Sequence, residues 1–229
     1  IANFDDLDPL EGENDVDVRF IHPGEPLPAD ADVIILPGSK STIDDLNTVR
    51  KHGWDIDILG HVRRGGLIVG LCAGFQMLGQ SVADPTGKEG TAIECQAGLG
   101  LLEINTEISD NKTLEQVSGV HVASGTKISG YEMHMGISKG DGLKRPMLTL
   151  MDGRPDGAVS ADGHVMGCYV HGLFTSNEFR HAFLKRLHHD RSEGEAHEAR
   201  VNATLDSLAH HIESHMDLDT LLAKSSIKV

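Results

Sequence analysis

Apolar runs of two kinds alternate along the first part of the chain. Val33 to Leu36 and Leu67 to Leu71 are short, almost uninterrupted and bounded by turn residues, the pattern of strands covered on both faces of a parallel sheet. Asp17 to Ile21 is another β-rich run, and Ile1 to Phe4 reads as the end of a strand whose start is missing. Between these runs, Ser41 to Lys51 predicts a helix with a hydroxyl cap, Asp55 to Arg64 a second, and Phe75 to Gln80 a third. From Gly98 to Leu150 the runs shorten and alternate, as in Leu101 to Ile108, which predicts an antiparallel extension instead of further βαβ units. Val165 to His171 reads as one more strand. Phe179, Phe183 and Leu187, then Leu205, Leu208 and Ile212, recur at helical spacing and predict packing helices. The expected organisation is an α/β domain over residues 1–178 with C-terminal helices, residues 179–229, packed on it.

Composition narrows the class. At 229 residues the chain can bury one sizeable core. Three cysteines without a pairing pattern, and no signal peptide or long apolar segment, point to a reducing cytoplasm. A formal charge of −15 argues against a nucleic-acid or anionic-membrane surface. Much of that charge falls in polar stretches such as Glu11 to Asp17 and Asp190 to Glu198, read as solvated surface. The incomplete first strand and the missing initiator Met suggest a piece of a longer polypeptide.

Candidate chemistry begins where the strand Leu67 to Leu71 ends. Gly70-Leu-Cys-Ala-Gly74 has the small residues needed for a sharp strand-to-helix turn that presents Cys72, like the G-x-S-x-G elbow with sulfur in place of oxygen. A buried structural cysteine would also fit the turn taken alone. His171, at the end of Val165 to His171 and followed by Gly172, is placed as a general base for Cys72. Strand alternation puts Tyr169 and His171 on one face. A lone strand-end histidine is more often structural; its pairing with the elbow favours catalysis. The Pro37-Gly38-Ser39 turn can face the elbow across the crevice at the carboxyl ends of the strands. The backbone N–H groups of Gly38, Ser39 and Ala73 would then form an oxyanion hole, against the alternative of an ordinary tight turn. Gln76, on the same helical face as Cys72, either contacts a substrate amide or fills a packing gap.

Two motifs are refused. Gly38-Ser-Lys-Ser-Thr42 resembles the tail of a phosphate-binding loop, but Ser39 stands where that loop needs glycine, so ATP binding by this chain is not expected. His211 and His215 have metal-ligand spacing with no persuasive third ligand, so no metal is assigned. Cys95 and Cys168 are read as small apolar residues.

The sequence resembles the triad-type glutamine amidotransferases, and within them the glutaminase domains of cobyric acid synthases. The resemblance is carried by Asn3-Phe-Asp-Asp-Leu-Asp-Pro9, Leu36-Pro-Gly-Ser-Lys-Ser-Thr-Ile-Asp-Asp-Leu46, Gly53-Trp-Asp55, Gly70 to Gly79, Gly130-Tyr-Glu-Met-His-Met-Gly136 and Tyr169-Val-His-Gly-Leu-Phe174. It implies a flavodoxin-like open sheet, glutamine as substrate, and a cysteine thioester at Cys72. It also implies ammonia delivery to an N-terminal ATP- and Mg²⁺-dependent synthetase domain outside this chain, which amidates a corrinoid, adenosylcobyrinic acid a,c-diamide, in cobalamin biosynthesis.

The wider superfamily has a glutamate two residues after the catalytic histidine. Here Leu173 stands there, as in the cobyric acid branch, and the group that orients His171 is unassigned. Glu132 is a candidate, with the alternative, which we prefer, that it holds the Gly130 to Gly136 segment. His134 is expected to shape the cleft or the synthetase-facing surface. The rival readings are a glutaminase serving another acceptor, as in cobyrinic acid diamide synthase or a lipid-precursor amidase, a cysteine peptidase of similar fold, and a non-enzymatic binding domain.

Overall fold

Two apolar runs of the sequence lie side by side as parallel strands, Val33 opposite Leu67 and Leu36 opposite Gly70. The computed structural model in which they are seen describes residues 3–90, 95–191, 194 and 196–224. In chain order the strands are β1 (Val33–Leu36), β2 (Leu67–Leu71), β3 (Ser81–Ala83), β4 (Cys95–Ala97), β5 (Asn105–His121), β6 (Lys127–Lys139), β7 (Leu148–Leu150), β8 (Pro155–Asp156), β9 (Ala158–Val159), β10 (Val165–Cys168) and β11 (Val170–His171). The helices are α1 (Asp8–Glu11), α2 (Thr42–Lys51), α3 (Trp54–Arg63), α4 (Ala73–Met77), α5 (Asn177–Leu187), α6 (His197–His215) and α7 (Leu218–Lys224).

One sheet runs β1-β2-β10-β9, parallel except for β9. Every residue of β2 is buried because the sheet is covered on both sides. Leu67, Val69 and Leu71 pack with Leu7, Leu10, Phe174, Phe179 and Phe183, whereas Ile68 packs with Leu46, Ile58, Phe75 and Leu78. A fully buried side chain of this size contributes about 1.5–3 kcal/mol, so the alternation of β2 ties both layers to one strand. The second sheet runs β11-β6-β5-β3-β4, with β7 and β8 added along β5. Its centre is the long antiparallel β5–β6 pair, as expected for the region from Gly98 to Leu150.

Several expectations need correction. Phe4–Asp6 is a 3₁₀ turn, not a strand end, and Ile1 and Ala2 lie outside the described residues. Among the described residues Asp17 to Ile21 has no ladder partner; Val18 and Phe20, with Val16, lean on the core as an irregular extended segment, so the alternation is real but the strand is not. Ser41 sits at the cap position of α2 without a capping side-chain bond; the Glu89 carboxylate instead accepts the Thr42 hydroxyl at 2.7 Å and the Ile43 N–H at 3.3 Å. The third helix is shorter and earlier than Phe75 to Gln80.

Val165 to His171 is not one strand. The buried Asp156 carboxylate accepts the Tyr169 N–H at 3.1 Å, and the chain leaves the parallel sheet there and joins β6 as β11. Cys168 and Val170 nonetheless enter one core cluster and Tyr169 the other, as alternation predicts, while Tyr169 stacks on His134 and His171 on Tyr131.

The chain divides into two units, residues 1–192 and 193–229. Helix α5 belongs to the first, with Phe179 and Phe183 buried, so the division falls later than the expected 178/179 boundary. The second unit holds α6 and α7. Leu205, Leu208 and Ile212 are exposed there, contrary to their reading as packing positions. Among the described residues no helix is long and apolar enough to cross a membrane.

The elbow depends on close backbone approach. A Cβ built on Gly74 would stand 1.9 Å from the Leu36 carbonyl oxygen, and one on Gly70 would stand 2.7 Å from Gly74. Neither backbone contact can be relieved by a rotamer change. Gly74→Ala is therefore expected to destabilise the protein by about 3 kcal/mol or more, seen as a lower urea midpoint at unchanged m. A midpoint equal to the parent's would mean that β1 and α4 are not packed this closely.

Candidate active site

Cys72 is the one non-glycine residue with positive φ among those described, at φ 52° and ψ −108°. Such a conformation costs on the order of 1–3 kcal/mol and persists only where its surroundings impose it. Here the Cys72 N–H donates to the Cys168 carbonyl at 2.9 Å, which pins the elbow to the end of β10. The side chain is 6% exposed, and its sulfur lies 3.5 Å from the Met133 carbonyl of β6. Cys168, behind it, is fully buried, and burial pushes its thiol pKa well up, so it is no competitor as nucleophile.

His171 is 2% exposed and lies beside Cys72, whose sulfur helps to raise its pKa. The chain brings β11 close enough because residue 130 is glycine: a Cβ there would lie 2.1 Å from the His171 carbonyl oxygen. The other side of the ring is closed by the turn after β1, where a Cβ on Gly38 would stand 2.8 Å from His171 Cε1 and 3.8 Å from Cys72 Cβ. The Gly38 turn thus packs against both Cys72 and the imidazole. Among the described residues no acceptor is bound to the backbone N–H of Gly38, Ser39 or Ala73. The Ser39 hydroxyl is occupied, donating to Asp45 at 2.5 Å and accepting the Ser41 N–H at 2.9 Å, which fixes the turn.

The residue that sequence reasoning missed is Asp6. Its Oδ2 is 2.7 Å from His171 Nδ1, and its Oδ1 accepts the Gly172 N–H at 2.6 Å. The Asn3 amide also lies 2.9 Å from His171 Nδ1 and 3.0 Å from the Tyr131 hydroxyl, and the Tyr131 ring stacks on the imidazole at 5.3 Å. Nδ1 carries a single hydrogen and a carboxylate can only accept, so that hydrogen belongs to Asp6. Burial alone would lower the His171 pKa, but the hydrogen bonds to Asp6 and Cys72, with their charges, raise it to about 9. The proton is therefore already on the imidazole near neutrality, and the pair rests as a donor beside the sulfur.

Glu132 is not the orienter. It lies opposite Val170 while Tyr131 lies opposite His171, so alternation along β6 turns its carboxylate away from the imidazole. It bonds Arg154 at 3.2 Å and approaches His134 at 4.0 Å. Glu132 and burial together push Asp156 up to about 7, burial being the larger cause. His134 bonds the Gly136 carbonyl through Nδ1 at 3.0 Å and is held below its usual pKa by burial. Gln76 is buried. Its carbonyl oxygen lies 3.2 Å from the Thr42 hydroxyl, whose hydrogen goes to Glu89, and its amide donates to the Tyr169 hydroxyl at 3.4 Å. Burial raises that phenol to about 12, so it stays neutral.

A folded-state His171 pKa of about 9 against an ordinary 6.5 contributes stability that is complete below pH 6.5 and is lost as pH rises through 9. Asp6→Asn removes the charge that holds this proton. The variant should lose less stability than the parent between pH 6.5 and 9, measured as urea midpoints across that range. Parallel curves for the two proteins would remove Asp6 as the source of the shift.

The chain matches the model of the CobB/CobQ-like glutamine amidotransferase domain over residues 1–179. It is 53% identical over 226 residues to a cobyric acid synthase of Methylocella silvestris, and 54% identical over 226 residues to one of Granulibacter bethesdensis. These alignments cover 99% of this chain but 47% and 46% of those proteins, so the chain spans about half the length of the curated relatives it matches. Among solved structures, that of PurLQS from Thermotoga maritima aligns with a TM-score of 0.57 at 20% identity, covering 82% of this chain and 92% of that one, which supports the fold alone. With the family model covering most of its length, the chain belongs to the CobB/CobQ-like glutamine amidotransferase domain family.

Proposed function

We propose that this domain hydrolyses glutamine through a thioester on Cys72 and supplies ammonia for the amidation of a corrinoid, as the half-length match to cobyric acid synthases suggests. The observation that carries the chemistry is the Asp6–His171–Cys72 line beneath the Gly38 turn. The Cys72 thiolate attacks the side-chain carboxamide carbon, and the oxygen takes the negative charge. The N–H groups of Gly38, Ser39 and Ala73 hold that oxyanion, a kind of contact worth roughly 3–4 kcal/mol per donor. His171 gives its proton to the departing nitrogen, and ammonia leaves. The neutral imidazole then takes a proton from water, which attacks the thioester; glutamate departs, and the thiolate and imidazolium are restored. Asp6 fixes the ring so that one nitrogen can do both tasks.

The acceptor chemistry belongs to the other half of the relatives' length, where ATP and Mg²⁺ are the implied co-reactants. Among the described residues of this chain no group of three or more His, Cys, Asp or Glu side chains is arranged to hold a metal ion, and Ser39 stands where a phosphate loop needs glycine. We place the domain in the cytosol on the cysteine count and the absence of a pairing pattern.

A glutamine-like diazo-ketone should add one equivalent of mass at Cys72, and adduct only at Cys95 or Cys168 would overturn the assignment. His171→Ala should slow glutamine hydrolysis by roughly 100- to 10,000-fold with the fold intact, and His134→Ala should be milder. Equal rates for His171→Ala and parent at saturating glutamine would shift the search to His134.

Ammonia made near pH 7 is mostly protonated and unreactive in water, so a site serving another domain gains from forming fully only when the acceptor is engaged. The domain alone should turn over glutamine slowly, and adding the synthetase half with ATP and corrinoid should raise the rate. An unchanged rate would sink the coupling while leaving the hydrolysis.

A further inference from the structure

The Asp6 carboxylate reaches His171 from a segment far away in sequence, and both ends of that contact lead to one side chain. Arg180 of α5 is fully buried. Its Nε donates to Glu13 at 2.6 Å, its Nη1 to the Phe174 carbonyl at 2.8 Å and the Thr175 carbonyl at 3.5 Å, and its Nη2 to Asn177 at 2.8 Å. Glu13 is also held by Arg191, which in turn bonds Asp15 at 2.6 and 2.7 Å. Burial alone would raise the Glu13 pKa, but the two guanidinium groups outweigh it and hold it below the usual range.

Neither end of this clamp is loosely joined to the site. Between Asp6 and Glu13 the backbone is one wound turn, with Leu10 N–H to Leu7, Glu11 N–H to Leu7 and Glu13 N–H to Leu10. Leu7 and Leu10 anchor it in the core. On the other side Phe174 follows Gly172 in a 3₁₀ turn closed by the Thr175 N–H on the Gly172 carbonyl at 3.0 Å. A displacement at Glu13 is therefore passed to Asp6, and one at Phe174 to His171.

Burying a guanidinium is costly even when it is fully bonded, and an apolar side chain would fill the same volume at less expense. What the charged side chain adds is directional: it bonds both segments at fixed angles. We propose that Arg180 is a positioning residue, which clamps the Asp6 segment through Glu13 and the His171 turn through the Phe174 carbonyl and so keeps the orienting carboxylate in register with the imidazole. Phe179 and Phe183 supply the packing of α5; Arg180 sets the register.

This inference rests on the glutaminase reading only for its kinetic consequence, so its test reads the imidazole directly. In the intact protein labelled with [¹⁵N]histidine, the His171 titration midpoint should lie near 9. In Arg180→Met and in Glu13→Gln it should fall by about one pH unit or more toward the ordinary value, with Arg180→Lys in between. Glutamine turnover should fall roughly tenfold in kcat, while KM changes little, since the substrate touches neither residue. If Arg180→Met fails to fold, Glu13→Gln decides, because it leaves the bonds of Arg180 to Phe174 and Asn177 in place. Folded variants whose His171 midpoint matches the parent's would overturn the proposal and leave Arg180 a packing residue. A parent that does not hydrolyse glutamine would refute the glutaminase reading, yet the midpoint comparison would still decide the role of Arg180.

Discussion

The hydrogen bond between Asp6 and His171, 2.7 Å long across 165 residues of sequence, is the constraint on which the site depends. Without it, burial would drive the imidazole toward its neutral form and leave the thiol beside a base of indefinite tautomer. With it, one ring nitrogen is committed to the carboxylate and the other lies under the Gly38 turn on the Cys72 side. Tyr131 lies along the ring and Gly38 closes over its edge, so the ring has little room to rotate. Four separate regions of chain, at Asp6, Gly38, Cys72 and Tyr131, converge on this imidazole, and the close approaches at Gly38 and Gly130 let them.

The two sheets divide the work. The parallel strands β1, β2 and β10 place the Gly38 turn and the Cys72 elbow at neighbouring carboxyl ends, as open α/β sheets do. The antiparallel β5–β6 pair presents Tyr131 and the Met133 carbonyl from the other side. The Asp156 carboxylate marks where the chain crosses between the sheets, and the crossing delivers His171. A histidine on β10 itself would have stayed in the ladder with β2.

The sequence made the local devices readable. An apolar strand, a small-residue elbow and a strand-end histidine followed by glycine are each written within a few consecutive residues, and Cys72, His171 and the Gly38 turn do come together. Asp6 was unreadable because no periodicity links a carboxylate in a 3₁₀ turn to an imidazole so far along the chain. The one available sign was Asn3-Phe-Asp-Asp-Leu-Asp-Pro9, an acidic block whose second carboxylate, Asp6, would be odd as surface charge, since Leu7, Pro9 and Leu10 beside it are core residues. Glu132 failed as a substitute on register, which only pairing with β11 reveals. The strand expected at Asp17 to Ile21 failed for a related reason: Val16, Val18 and Phe20 do face the core, but pattern alone does not say whether a neighbour strand exists to bond. In α6 the helical spacing of Leu205, Leu208 and Ile212 was correct, and their burial was not.

The order of the three contributors along the chain also bears on synthesis. Asp6 is made first, Cys72 next and His171 last, with Arg180 and the rest of α5 following. At about 5–20 residues per second, the interval between the elbow and its imidazole is on the order of 5–20 s. During that time a ribosome-bound chain exposes a cysteine with no proton donor and an aspartate with nothing to orient. Nascent protein therefore lacks the assembled Asp6–His171 pair, and the thiol acquires its partner only as the last part of the domain emerges and closes around it.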